Sequence, residues 1–144
     1  QGFVLLKEKA MELQINKNTT LGELQDDFSS QFKYLKLGFF IDKNHDNRLT
    51  ADEQIKNRHL TIGSIREVQV DGDLKINSVM TVADIERKFK EHFGLEVQIF
   101  RKSGLNWLIT SQTDEWTLEE QNAKAIEMDK PVEAPEPGDY HDHE

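Results

Sequence analysis

One stretch of the chain has the residue types and the spacing to hold a hard cation. From Asp42 to Glu53 it reads Asp-Lys-Asn-His-Asp-Asn-Arg-Leu-Thr-Ala-Asp-Glu, with side-chain oxygens at the first (Asp42), third (Asn44), fifth (Asp46) and ninth (Thr50) places. Arg48 at the seventh offers a backbone carbonyl, and Glu53 at the twelfth is placed to close the ring through both carboxylate oxygens. Calcium takes roughly six to eight oxygens, and this spacing is the one by which a twelve-residue loop brings them together. Leu49 at the eighth place supplies an apolar anchor, and Thr50 to Lys56 offers a helix to follow the loop. Asn47 stands where glycine is expected; asparagine tolerates positive φ better than most residues, so affinity is weakened without being abolished.

The elements that must position those oxygens argue the other way. In an EF-hand a helix leads into the loop, whereas Leu37-Gly38-Phe39-Phe40-Ile41 reads as a strand. EF-hands also come in pairs, and the matching region of the second half, Arg101 to Asp114, carries no such ligands. The favoured reading is therefore a polar surface loop with Thr50 or Asp52 as an N-cap, and calcium is the alternative cofactor. Other chemistry is thin. The chain has no cysteine, so thiolate ligands, thiol nucleophiles and disulfides are excluded. His45, His59 and His92 are scattered, Asp26-Asp27 sits on a solvated helix face, and neither a nucleophile elbow nor a phosphate loop occurs. No catalytic residue is assigned, and the chain reads as a non-enzyme. His141, Asp142 and His143 lie in an acidic tail where metal binding would be adventitious.

The frame around the loop is a duplication. Leu13 and Ile15, then Thr20 with Leu21, Leu24, Phe28 and Phe32, then Leu37, Phe39 and Ile41 reappear about 61 residues later. The later set is Leu74 and Ile76, Thr81 with Val82, Ile85, Phe89 and Phe93, then Val97 and Ile99. Thr20 with Glu23 is a capping box and Thr81 with Asp84 a weaker one, and the four phenylalanines at i, i+4 spacing read as core. Gly94 is placed to end the second helix in the left-handed conformation. Asp71-Gly72 between Val68/Val70 and Leu74/Ile76 is a strong hairpin signal, and Phe3 to Leu6 before Met11 and Leu13 has the same shape in the first copy. A further hairpin turns at Arg101 to Gly104, and Thr117 with Glu120 caps a last short helix. The fold class is α+β, as two tandem ββαβ repeats at 3-66 and 67-128 with an acidic tail at 129-144. The alternative merges two βαβ units into one ferredoxin-like sheet.

The order hairpin, helix, strand, loop and Thr-Leu turn resembles the β-grasp, and the second copy is similar to the middle of ubiquitin-like domains. The likeness rests on Thr81 to Ile85, Phe93-Gly94-Leu95, Val97 to Phe100 and Trp116-Thr117-Leu118. The chain is also similar to a bacterial family of small duplicated α+β proteins with no assigned activity. What the resemblance implies is a binding or scaffold fold. The departure lies after Leu118, where no final strand follows.

Charge narrows the partners. The net charge is -9, and Glu127 to Glu144 alone holds seven acids against Lys130. No basic stripe exists for nucleic acid, and no apolar run approaches the roughly 20 residues of a membrane helix. The start lacks a basic segment ahead of an apolar stretch of signal-peptide length, which with the missing cysteines points to the cytoplasm. What is left is a protein partner, for which Trp107 and Trp116 are the candidate anchors.

Overall fold

Thr20 and Thr81 start two of the three α-helices in a computed structural model that describes residues 9–46, 48–68 and 70–129. At the head of α1 (Leu21–Gln31) the Thr20 hydroxyl accepts from the Glu23 amide at 3.1 Å, and the Glu23 carboxylate accepts from the Thr20 amide at 2.8 Å. Thr81 accepts from the Asp84 amide at 3.1 Å to start α2 (Val82–Phe93), which Gly94 ends at φ +66°. A left-handed residue there costs least when it has no Cβ. The capping box of Thr117 and Glu120 also forms, but the helix it opens, α3 (Leu118–Asp129), runs for 12 residues instead of a short turn.

Among the described residues six strands divide into two antiparallel sheets. They are β1 (Ala10–Ile15), β2 (Leu35–Phe40), β3 (Gln54–Ile55), β4 (Gly72–Asn77), β5 (Glu96–Ser103) and β6 (Asn106–Ile109). β1 and β4 form a two-stranded ribbon, and the second sheet has the order β3-β2-β5-β6. Met11, Leu13 and Ile15 face the core beside Ile76 and Leu74, while Leu35, Leu37, Phe39, Val97 and Ile99 do so from the larger sheet. The apolar stripes of α1 and α2 complete the same core through Leu24, Phe28, Ile85 and Phe89. Phe28, Phe32, Phe89 and Phe93 are all buried in it, as their spacing requires.

The pairing departs from the sequence reading in three respects. The Asp71-Gly72 hairpin does not form: Val68 and Val70 lie outside any strand, each 48% exposed, and Gly72 opens β4 opposite Ile15. Asp71 instead holds the buried Arg66 guanidinium at 3.0 Å, and β4 takes its partner from the other half because that pairing buries Leu74 and Ile76. Second, both long pairings, β1 with β4 and β2 with β5, join one half to the other, so the strands are shared between the halves. Third, the six strands do not merge into one sheet. Phe3 to Leu6, and the tail beyond Asp129, lie outside the described residues.

Matching backbone bonds recur in both halves. Leu21 and Gly22 at the start of α1 donate to the carbonyls of Leu60 and Arg58 at 2.9 Å each. Val82 and Ala83 at the start of α2 donate to Trp116 and Asp114 at 3.0 and 2.8 Å. Thr20 bridges Thr61 and Thr81 bridges Thr117 in the same antiparallel sense. Helix amides that would otherwise lack partners are thereby satisfied, and the two Thr-containing segments close one end of the core. Among the described residues no helix is long and apolar enough to cross a membrane.

Candidate functional site

The Asp42 to Glu53 stretch is the connection of the β2-β3 hairpin. Phe39 pairs with Ile55 and Phe40 with Gln54, and the Ile41 amide donates to the Glu53 carbonyl at 3.0 Å. The strand reading of Leu37 to Ile41 agrees with β2 up to Phe40, but the helix expected at Thr50 to Lys56 is a single turn, Ala51–Glu53, followed by β3. β-pairing to Phe40 ends it, because Gln54 must turn extended to meet that edge.

The candidate cation ligands are divided between two tasks. Asp42 accepts from the Asp46 amide at 3.3 Å and Asp46 from the Arg48 amide at 3.0 Å, so both acids fold the exposed arm of the loop. Glu53 is 2% exposed and its two oxygens are engaged: one accepts from the Lys43 amide at 2.7 Å, the other from the Thr50 amide at 2.8 Å and its hydroxyl at 3.1 Å. The Thr50 amide, helped by that of Lys43, holds the Glu53 carboxyl below the usual glutamate value, against the opposing effect of burial. Thr50 and Glu53 form the capping box of the turn, and Asn44 is exposed. Among the described residues no three His, Asp or Glu side chains converge as a metal site. His45, His59 and His92 are exposed and lie on separate elements.

A different surface stands out on the far side of β3-β2-β5-β6. Side chains alternate across a strand, so the residues between the core positions point away from α1 and α2. On β2 these are Lys36, Gly38 and Phe40; on β5, Glu96, Gln98, Phe100 and Lys102; on β6, Trp107 and Ile109. Phe40 and Phe100 stack with ring centroids 6.4 Å apart and planes 13° apart. Phe100 lies over Gly38, where a Cβ would come within 2.6 Å of its ring, so glycine is what lets the ring lie flat. Lys36 arches over this strip with Nζ 5.7 Å from the Phe100 centroid and 4.8 Å from that of Trp107. Partial burial pulls the Lys36 ammonium below the ordinary lysine value. The outward face of the β1-β4 ribbon carries Glu12, Gln14, Asp73 and Lys75 instead.

β6 is the edge of that sheet, and all four of its residues are exposed. The Thr110 amide donates to the Ile99 carbonyl at 3.2 Å, which fixes the alternation of the ladder. Leu108 opposite Arg101 therefore faces β5, while the N–H and C=O groups of Trp107 and Ile109 point to the open edge. The two tryptophans are not brought together. Trp107 is on the outer face, whereas Trp116 lies under the Arg101 guanidinium, 5.6 Å from it, on the core side where Arg101 also donates to Gln121 at 2.7 Å. Lys36, Phe40, Phe100 and Ile109 were not singled out from the sequence. Their signal was there in Phe39-Phe40 and Ile99-Phe100, adjacent apolar pairs that make both faces of a strand apolar.

One polar position inside the halves is unequal. Gln25 on α1 donates to the Leu37 carbonyl at 3.0 Å and accepts from Arg58 at 3.1 Å. Its counterpart on α2 is Glu86, mostly buried, which accepts from the Ile99 amide at 3.1 Å and faces Asp114, the counterpart of Arg58. Burial pushes the Glu86 carboxyl up to about 7, and the Asp114 charge adds to the rise. A scan of protein-family models, a search of curated proteins and a search of solved structures each find no match to the chain.

Proposed function

We propose that the chain is a non-catalytic protein-interaction module whose docking surface is the outer face and free edge of the β3-β2-β5-β6 sheet. The observation that carries the reading is the strip Phe100, Trp107 and Ile109, with the buried Phe40 stacked on Phe100, on a sheet face that no described helix covers, beside a ribbon whose outward face is polar. Aromatic side chains are what protein interfaces concentrate at their centres. Of the two tryptophans, Trp107 belongs to this surface and Trp116 supports the fold behind it. The halves are read as copies of one βαβ unit, supported by the equivalent bonds at the starts of α1 and α2; the β-grasp likeness extends no further than helix, following strand and Thr turn.

A photo-crosslinking residue placed at Trp107 should capture a protein from the source cells that the same residue at Glu12 does not. The captured protein, purified and titrated by calorimetry, should bind the Trp107→Ala chain at least about tenfold more weakly while the melting temperature is kept. Equal capture at both positions, or unchanged binding, sinks the reading.

Calcium at Asp42, Asn44, Asp46, Arg48, Thr50 and Glu53 is the second reading, and the bonds that engage both Glu53 oxygens weigh against it. Calorimetry at millimolar calcium should give no heat. Heat that disappears in Asp42→Ala would reverse the order of the two readings.

A further inference from the structure

We infer that the partner presents an extended segment of alternating carboxylate and apolar side chains, which adds to β6 as a fifth strand of the larger sheet. This rests on the docking surface proposed above and names its occupant. The backbone argument comes first. Trp107 and Ile109 turn their N–H and C=O groups outward, and among the described residues nothing pairs with them. An edge of that kind is completed by another strand, whose main chain supplies the bonds and whose alternate side chains supply the choice of sequence.

Charge then selects the segment. Lys36 and Lys102 both rise from the outer face, Lys102 directly opposite Trp107 and Lys36 with its ammonium above the Trp107 ring. Neither has a carboxylate within salt-bridge distance among the described residues, although the chain as a whole has acids in excess. Glu96, the acid on this face, is engaged by Lys90 at 3.4 Å at the opposite edge of the aromatic strip. An added strand would run about 4.8 Å beyond β6. That puts the glutamates of the segment on the outer face, within reach of Lys36 and Lys102, while its apolar residues fall on the other face beside Leu108, which is 44% exposed. A second copy of the chain fits the edge less well. Pairing β6 with itself would leave both pairs of lysines without counter-charge.

The test uses the full chain and a synthetic blocked octapeptide alternating Glu with Val, with a Lys-Val octapeptide of the same length as control. Backbone amide NMR should show the Trp107 and Ile109 signals shifting and gaining protection from exchange only with the Glu-Val peptide. Binding should fall about tenfold or more in Lys36→Gln/Lys102→Gln and weaken with salt. Ile109→Pro removes an outward N–H without touching the β5 ladder, so it should lose binding that Ile109→Ala largely keeps. Equal binding of both peptides, or shifts away from β6, overturns the acidic-strand assignment. A dimer in sedimentation that Ile109→Pro dissolves, with neither peptide binding, overturns it in favour of a second copy. If the Glu-Val peptide fails while the protein crosslinked at Trp107 still binds, the occupant is wrong and the docking surface stands.

Discussion

Phe89→Ala is expected to cost the fold about 3–5 kcal/mol, the largest effect of any substitution considered for this chain. Phe89 is wholly buried, and its ring meets that of Phe39 edge to face, with centroids 6.4 Å apart and planes at 89°. Phe39 lies in β2 between Val97 of β5 and Ile55 of β3, so the missing ring would open a void beneath the middle of the larger sheet. Helix, strand and strand cannot all move in to fill it, because β2 is fixed on both sides by its ladders. Against a total stability of about 5–15 kcal/mol, this is enough to unfold a sizeable part of the population near body temperature. Urea denaturation followed by circular dichroism would measure it. A cost under about 1 kcal/mol would mean that the core repacks and that the pair is less central than its geometry implies.

The second large effect is a gain. Glu86→Gln should stabilise the protein by up to about 3 kcal/mol at pH 8 and by close to nothing at pH 4. The sign follows from the raised value, about 7 in the folded chain against 4.5 for ordinary glutamate. Between those two values the folded state holds a proton that the unfolded state has lost, so stability falls as pH rises from about 4.5 and levels off above about 7. Glutamine cannot ionise, and its oxygen can still accept from the Ile99 amide while its nitrogen turns toward Asp114. The first half already uses that solution, with Gln25 in the equivalent place. Thermal melts of both chains from pH 4 to 8 read the difference directly. A gap that does not change with pH would show that Glu86 is solvated at no cost.

How much of this was written in the sequence depends on the range of the interaction. Thr20 with Glu23, Thr81 with Asp84, Thr117 with Glu120 and Gly94 are caps made within four residues, and the structure forms each of them. The β5-β6 hairpin is equally local, turning at Gly104 with φ +61°. Strand partners are another matter. Leu74 and Ile76 alternate as any strand does, and nothing in that alternation says that Leu13 lies opposite. The Asp71-Gly72 signal was real chemistry outweighed by a buried arginine and by β1. Glu53 shows the same limit, since its spacing from Asp42 suits a cation ring and also suits closing a hairpin loop onto the Lys43 and Thr50 amides. The outer face was missed for a simpler reason. A search for one buried face per strand does not ask what the second face is made of.

The cross-pairing of β1 with β4 and β2 with β5 makes the two halves behave as the two subunits of an obligate dimer that happen to share one chain. Neither half owns a complete hydrophobic core. The connection between Ile65 and Gly72, which carries the exposed Val68 and Val70, therefore acts as a tether that supplies effective concentration, and its buried Arg66 adds a contact of its own by donating to the Phe93 carbonyl at 3.0 Å. A chain cut there would hold together as a bimolecular complex, and an intact chain could trade halves with a neighbour through that same segment. Lengthening the tether would cost little in closure entropy and keep the halves closed on each other, whereas shortening it would drive such exchange.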